Sequence, residues 1–500
     1  MTRRLPIFLL LGAVLLSAQV RKTAVAGAFY PKDAKELAKT VDDFVARATP
    51  PAIQDPVVAL VSPHAGYPFS GAVAAHGYAL IKGRQYDRVV VIAPSHVEGF
   101  PFAAVYDGDA YATPLGSVPV DKDFCRKIAD GKLVQLSSRG HNVWADRGEH
   151  SVEVQLPFLQ RVLGPFKLVP IVMGDQSYEI CRKLGRALAD AIGDSRTLIV
   201  ASSDLSHYHA YDKAVKMDRA TLRAIEEWDY LSLSENLERR IWEACGGGPI
   251  VAAMIAAERL GAAAPRLLKY ANSGDVTGTR DSVVGYGSMA FVKPSGPGAA
   301  SAPRFSLSDA EKGDLLKLAR QSVESVVRLH KPLESAPLRF ESLSQERGAF
   351  VTLKKRGELR GCIGYIAPVK PLASTVRDVA AAAAVEDRRF TPVSEAELGQ
   401  LQYEISVLSP MRRVLDVNQI QVGQHGLVMK QGDSMGLLLP QVPVEEHWDR
   451  KTFLEQTCRK AGLPPDAWRS PDTDIFSFTA LVFGEQKPAA RAPAPGTPSK

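Results

Sequence analysis

Three histidines sit in the same kind of place in the first half of the chain. His64 closes VVALVSPH, His96 closes VVVIAPSH and His207 closes LIVASSDLSH. Each follows a β-branched apolar run (residues 57–61, 89–92 and 198–200) and a short small or polar turn. Imidazole titrates near neutral pH and is a ready metal ligand or proton carrier. Runs of this length, rich in Val and Ile and bounded by Pro or Ser, read as fully buried strands of a mainly parallel sheet. In open α/β sheets ligands gather at the carboxyl ends of the strands, so three histidines far apart in sequence converge on one site. Any one of them alone is more simply a loop histidine; the shared context favours a site.

Asp204 precedes His207 in SSDLSH, and a carboxylate beside an imidazole suits general base work or the orientation of a ligand. We therefore take His207 as a proton acceptor and Asp204 as the group that holds its tautomer. An exposed His beside a structural Asp–Ser turn is the plainer alternative. His150 and Glu153, with Glu149, stand at the start of a helical pattern; helix capping and a surface ion pair explain them nearly as well as a pocket does. His76 and His141 read as structural or exposed.

Helices must lie between the strands. Leu37, Val41, Phe44 and Val45 recur at helical spacing over 34–46, as do Val152, Leu156, Leu159 and Leu163 over 151–163. Residues 71–81 are small and Ala-rich, suited to close packing on a sheet, FKLVPIVM is a strand candidate, and 178–192 reads as a helix. This alternation argues for an α/β domain.

The ordered motifs VSPHAGYPFSG, IAPSH, GEHSVEVQLPFL, ASSDLSHY and ACGGGP resemble the Memo family, also called AmmeMemoRadiSam system protein B. The likeness covers residues 20–293, including AGAFYP at its start and NSGDVTGTRDSVVGYGSMAF at its end. It implies a fold similar to class III extradiol dioxygenases, which are non-haem iron enzymes. It also implies metal ligands at His64, His96 and Cys245, with Asp204 and His207 lining the pocket. The implied cofactor is one metal ion, Fe(II) or copper rather than zinc. Two His and a carboxylate on one face of Fe(II) leave positions open for oxygen and substrate. Here Cys245 stands where the dioxygenases carry Glu, and thiolate is softer, favouring Cu(I), zinc or Fe–S iron. Glu243, two residues earlier, gives a minor route to a carboxylate ligand. Alone, Cys245 reads as a buried inert thiol. The Gly-Gly-Gly-Pro after it permits a tight turn facing a site.

A second likeness covers residues 305–485. RGAFVTLKKRGELRGCIGYI reads as a hairpin around a Lys-Arg-Gly turn. LRGCIG, VEDRRFTPV, LQYEISVLSP, GLLLPQVPVEEHW and FLEQTCRKAGL resemble AMMECR1, or AmmeMemoRadiSam system protein A. The resemblance implies an α+β domain with an antiparallel sheet flanked by helices. Its polar candidates are Arg360, Cys362, Glu386, Asp387, Arg388 and Arg389. Arg360 beside Cys362 would depress the thiol pKa and make it reactive. A small core residue on a glycine-kinked strand is the blander alternative.

The remaining composition sets limits. At 500 residues two or three domains are expected. A net charge of +6, without a dense Lys/Arg run or interleaved aromatics, gives no case for nucleic acid. Five cysteines without a CxxC pair argue against a disulfide framework. MTRR followed by the twelve apolar residues LPIFLLLGAVLL resembles a secretory signal peptide over 1–19. That implies export, with membrane attachment only if the segment stays uncleaved; without a real signal the chain is cytoplasmic. Residues 294–304 read as a Pro/Gly/Ser/Ala linker and 486–500 as a disordered Pro/Ala-rich tail.

The third member of the named system is a radical-SAM protein, whose CxxxCxxC motif is absent here, so radical chemistry would need that separate partner. The leading functional expectation is a metal-dependent, dioxygenase-like oxidoreductase acting on a small molecule, with the second domain binding or presenting substrate. The alternative is a non-enzymatic scaffold that binds metal or peptide and recruits partners through the AMMECR1-like domain.

Overall fold

The structure is a computed structural model that describes residues 18–144, 147–263, 265–294, 305–334 and 339–485. The signal-like segment up to residue 17, the linker from 295 to 304 and the tail from 486 lie outside the described residues. Contacts divide the chain into two compact units. One holds the chain up to Val215 and again from Ala244; the other holds Lys216–Glu243 and the chain from 296 onward.

The first unit is built on a nine-stranded sheet. Its strands are β1 (Val57–Ser62), β2 (Arg88–Pro94), β3 (Ala103–Val105), β4 (Val134–Leu136) and β5 (Lys167–Met173). They are followed by β6 (Thr197–Ser202), β7 (His207–His209), β8 (Arg266–Asn272) and β9 (Val283–Val292). The order is β7-β9-β1-β6-β2-β5-β3-β4, with β8 on the other side of β9. The central four, β1, β6, β2 and β5, are mutually parallel and almost continuously buried, as unbroken Val/Ile runs require. On both flanks the sheet turns antiparallel, β9 against β1 and β3 against β5. It is therefore mixed, where a mainly parallel sheet was expected. A strand that follows its neighbour without a crossover helix must return antiparallel, and β9 follows β8 through only the short helix Ser273–Thr277.

The helices follow the sequence pattern with shifted starts. Helix α1 (Ala34–Arg47) is capped by the Asp33 carboxylate, which accepts from the backbone of Lys35 and Glu36. Helix α2 begins at Tyr67, four residues earlier than expected, because Pro68 fits the first turn, and runs to Ile81. The pattern over 151–163 opens as a tighter 3-10 turn, Glu153–Gln155, before α3 (Leu156–Val162). Helix α4 (Tyr178–Ile192) packs against α5 (Gly247–Arg259). The backbones come close enough that a Cβ on Gly185 would lie 2.7 Å from the Ala252 carbonyl.

The second unit holds an antiparallel seven-stranded sheet. Its strands are β10 (Ala349–Lys355), β11 (Glu358–Tyr365), β12 (Leu401–Leu408), β13 (Arg412–Arg413), β14 (His425–Gln431), β15 (Ser434–Leu438) and β16 (Asp474–Gly484). The order is β11-β10-β12-β16-β14-β15, with β13 on β16. The expected hairpin is β10–β11. Its turn residues Arg356 and Gly357 both have positive φ, 54° and 93°, the requirement of a type I′ turn. Helices Asp309–Leu329 and Leu372–Val385 supply Leu315, Ala319, Val323, Val376 and Val379 to a core shared with Val351, Leu353, Tyr403 and Ile405. Within this unit Arg347 forms a two-pronged ion pair with Glu227 (2.7 and 3.0 Å).

One buried ion pair ties the first unit's opening segment to its centre. Arg21 and Glu153 contact each other with side chains 3% and 0% exposed. The Glu153 carboxylate also accepts from the backbone N–H of Ala24 (2.7 Å) and Val25 (3.1 Å) and from the Tyr30 hydroxyl. Removing one member of such a pair strands the other charge in a dry interior, at a cost of about 3–5 kcal/mol. We predict that Glu153→Gln lowers the stability of the full chain by that amount in urea unfolding. A change within about 0.5 kcal/mol, the size of a surface substitution, would contradict the assignment.

Candidate metal centre

The carboxyl ends of β1, β6 and β2 are neighbours, and the loops that leave them carry the candidate side chains. His64 lies two residues past β1 and is 1% exposed. Its backbone N–H donates to Asp204 Oδ1 (2.8 Å), as does that of Ala65 (3.3 Å), so Asp204, just past β6, fixes the loop that presents the imidazole. The ring is fixed by Ser202, the last residue of β6. Ser202 Oγ donates to the Ser151 carbonyl (2.7 Å), which can only accept. It then accepts from Gln155 Nε2 (2.7 Å) and faces His64 Nδ1 at 2.9 Å. A hydroxyl has one hydrogen and two lone pairs, so His64 Nδ1 must be the donor and Nε2 carries the free lone pair. Burial and the neighbouring His150 and His96 hold the His64 pKa well below its ordinary value, which keeps the ring neutral.

That lone pair faces Cys245. Cys245 Sγ lies 3.1 Å from His64 Nε2, and the Asp204 backbone N–H donates to the same sulfur (3.2 Å). Asp204 Oδ2 stands 3.9 Å from His64 Nε2. His64, Asp204 and Cys245 thus present N, O and S atoms all within 4.8 Å of one another. Cys245 is held by Gln176, whose Nε2 donates to the Cys245 carbonyl (2.9 Å) and whose Oε1 accepts from Gly248 (2.7 Å). The glycine after it is required by a close approach: a Cβ on Gly246 would meet the Ser202 carbonyl at 2.2 Å. Burial and the Asp204 charge raise the Cys245 thiol pKa, and burial lifts the Asp204 carboxyl to about 6. A metal ion would reverse both, since its charge favours thiolate and carboxylate.

A second group shares His64. His64, His96 and His150 also offer nitrogens within 4.8 Å of one another. The His96 and His150 rings stack at 4.8 Å, and each stands nearly edge-on to His64, at 5.1 and 5.5 Å. One buried carboxylate orients both. Glu149 Oε1 lies 3.1 Å from His96 Nδ1 and 3.6 Å from His150 Nδ1, and accepts from the backbone of His150 (2.9 Å) and Ser151 (3.0 Å). Burial works against a charged His96, but Glu149 outweighs it and raises the His96 pKa. Burial works against an ionised Glu149, and the two histidines outweigh it, holding its pKa far below the usual range. Burial brings His150 down to about 4.

The expected trio His64, His96 and Cys245 is therefore divided: among the described residues His96 and Cys245 belong to different groups, joined through His64. Asp204, expected to orient His207, enters the donor set itself; Glu243 is in neither group. His207 does not end the third buried strand. It opens the separate strand β7, antiparallel to β9, and its charge still bears on His64 and Asp204. His150 is a member of the imidazole cluster rather than a surface cap, and Glu153 is wholly buried against Arg21 and Tyr30. His141 is structural, buried with Nε2 on the Ala104 carbonyl. His76 bonds its own helix at the Ala72 carbonyl.

In the second unit the activated thiol does not appear. Arg360 is taken up by Glu397 (3.0 Å) and the Thr391 carbonyl (2.9 Å). Burial raises the Cys362 pKa, and Thr352 Oγ1 donates to its sulfur (3.3 Å). Asp387, paired with Arg389 and brought down to about 2, accepts the Cys362 backbone N–H (2.9 Å). The blander reading of Cys362 fits this packing.

A largely buried set of imidazole, thiol and carboxyl donors with fixed ring orientation, at the strand ends of an α/β unit, could hold a metal ion. Comparison with known proteins supplies the lineage. The family model for Memo-like proteins matches residues 21–290, and this chain belongs to that family. The AMMECR1 family model matches residues 316–483, so both domains occur in one chain. A MEMO1 family protein of Methanopyrus kandleri is 38% identical over 283 residues, 54% of this chain and 98% of that protein. Protein MK0488 of the same organism is 44% identical over 188 residues, 36% of this chain and 90% of that protein. The crystal structure of uncharacterized protein PH0010 from Pyrococcus horikoshii shares 40% identity, covering 37% of this chain and 96% of that one, with a TM-score of 0.36.

The Glu149–His96 contact has a pH signature in metal-free protein. The depressed Glu149 contributes stability above its ordinary pKa of 4.5 and loses it as pH falls toward its folded value. The raised His96 contributes fully below 6.5 and loses it as pH rises through its higher folded value. The stability difference between wild type and Glu149→Gln, from thermal melts in chelator, should therefore be largest between pH 4.5 and 6.5. A difference independent of pH across that window would contradict the contact.

Proposed function

We propose that the Memo-like unit binds one first-row transition-metal ion, Fe(II) or copper in preference to zinc, and acts as an oxidoreductase on a small organic substrate. The observation that carries this reading is the Ser202-fixed tautomer of His64, which aims a neutral nitrogen lone pair at Cys245 and Asp204. Orienting a ligand through its second nitrogen is how proteins prepare imidazole for metal. His64, Cys245 and Asp204 would hold the ion, with His96 beside them. Fewer than six protein donors leave room for substrate, and a bound redox metal would supply electron transfer there.

The protein's own part is proton handling and exclusion of water. Asp204, Ser202 and Ser203 are buried, whereas the His96 side chain is 32% exposed and His207 is half-buried, so the site opens on the His96–His207 side. A substrate hydroxyl entering there meets His207, which can accept its proton. Donors at the carboxyl ends of parallel strands also support the proposed kinship with class III extradiol dioxygenases. The soft thiolate favours a second reading, a non-enzymatic metal- or peptide-binding scaffold, which retains the metal but shows no oxygen chemistry.

Mass-spectrometric metal analysis of anaerobically purified protein should find about one ion per chain, and far less in His64→Ala. An oxygen-uptake screen over small organic substrates follows. Once a substrate is found, His207→Ala should keep the metal and lose about 10²–10⁴ in turnover. Equal metal in wild type and His64→Ala would overturn the reading; full metal with no uptake by any substrate would favour the scaffold.

A further inference from the structure

Sequence kinship and packing divide the chain at different places. The Memo-like match runs from 21 to 290, yet Lys216–Glu243, which lie inside it, belong by their contacts to the second unit. Their partners there come from separate parts of the AMMECR1-like half. Tyr230, wholly buried, stands edge-on to Phe476 of β16, with ring centroids 5.7 Å apart. Glu227 takes both prongs of Arg347, just ahead of β10. Trp242, 3% exposed, donates its indole N–H to Glu346 (3.2 Å). The buried Asp229 carboxylate accepts the backbone N–H of Met411 as well as that of Ser232 (3.1 Å).

We infer that Lys216–Glu243 is a docking element: through it the Memo-like half binds the AMMECR1-like half as a noncovalent partner, and the linker joins two pieces that already recognise each other. The inference is independent of the metal reading. A segment that was simply core of the AMMECR1-like fold would fall within that family's match, at 316–483; this one falls within the other. The contact has the make-up of a protein–protein interface. Tyr, Trp and Arg, the residue types that dominate affinity between proteins, stand in it, and each is nearly or wholly buried. The charges around them are complementary. Lys216 and Arg223 on the element bear on Glu346, and Lys430 of the other half bears on Glu235.

The partner need not be joined in the same chain. The Memo-like half also occurs as a nearly whole protein, since 54% of this chain covers 98% of the Methanopyrus kandleri MEMO1 family protein. The kind of partner this face fits is therefore an AMMECR1-like domain, fused here and supplied as a second chain where the halves are separate.

A protease recognition sequence inserted after Gly298 allows the folded full chain to be cut between the halves. At about micromolar concentration the two pieces should still elute together as one pair. Arg347→Glu in the same chain should weaken the pairing by at least about tenfold, and Glu227→Arg added to it should recover most of the loss. Circular dichroism of the uncut chain checks that each variant is folded; Glu227→Arg alone replaces Arg347→Glu if that one is not. Pieces released by either charge reversal should keep folded spectra. Separation of the wild-type pieces on cutting would overturn the inference. Pairing indifferent to both charge reversals would also overturn it, by placing the contact elsewhere. Pieces that part only when denaturant unfolds them would make 216–243 the core of a single fold, and the docking element would not exist.

Discussion

A serine hydroxyl has one hydrogen to give, and Ser202 gives it to the Ser151 carbonyl. Everything at the strand ends depends on that commitment. It makes Ser202 an acceptor for His64 Nδ1–H, which leaves Nε2 bare and directed at sulfur and carboxylate. Gln155 completes the arrangement: its Nε2 donates to the Pro63 carbonyl and Ser202, and its Oε1 accepts from the Tyr78 hydroxyl. Reversing any one of these donors would turn the His64 lone pair away from the site. Because the group is buried, water cannot repair the mismatch.

The fold makes this arrangement possible by placing three parallel strands side by side. β1 delivers His64, β6 delivers Ser202 and Asp204, and β2 delivers His96, all at the same edge of the sheet. The segment from Glu149 to Gln155 then closes over that edge. Within seven residues it supplies Glu149 and His150 to the imidazole cluster, the Ser151 carbonyl to Ser202, and Gln155 to the same hydroxyl. Its fourth polar residue, Glu153, points the other way and fastens the chain's opening segment through Arg21. One short stretch thus ties the N-terminal segment to the centre, and loss of that anchor would be felt at the site.

Much of this was legible in the sequence. Continuous Val/Ile runs ending in Ser or Pro and then His identify strand ends, because short β-branched runs bounded by turn residues suit a strand buried on both faces. The hairpin at Arg356–Gly357 and helix 178–192 were equally plain. The antiparallel flanks were not, since periodicity carries no direction. The division of His96 and Cys245 between two groups was hidden too, because side-chain distance across loops is set by packing. Glu149 and Ser202 show why a site is harder to read than a fold. A carboxylate next to a histidine in sequence looks like a helix-start ion pair, and a serine ending a strand looks like any turn residue. Their roles depend on contacts 53 and 138 residues away in the chain. Cys362 shows the converse: an arginine two residues away suggested activation, but the break in β10–β11 register at Arg360 and the pull of Glu397 take Arg360 elsewhere.

The most direct test is the protonation state of His64 in metal-free protein, read by long-range proton–nitrogen correlation spectroscopy on histidine-labelled chain. The bond to Ser202 and burial require a neutral ring with its proton on Nδ1 throughout about pH 5 to 8, the range in which an unperturbed imidazole changes charge. A proton on Nε2, or a charged ring in that range, would contradict it.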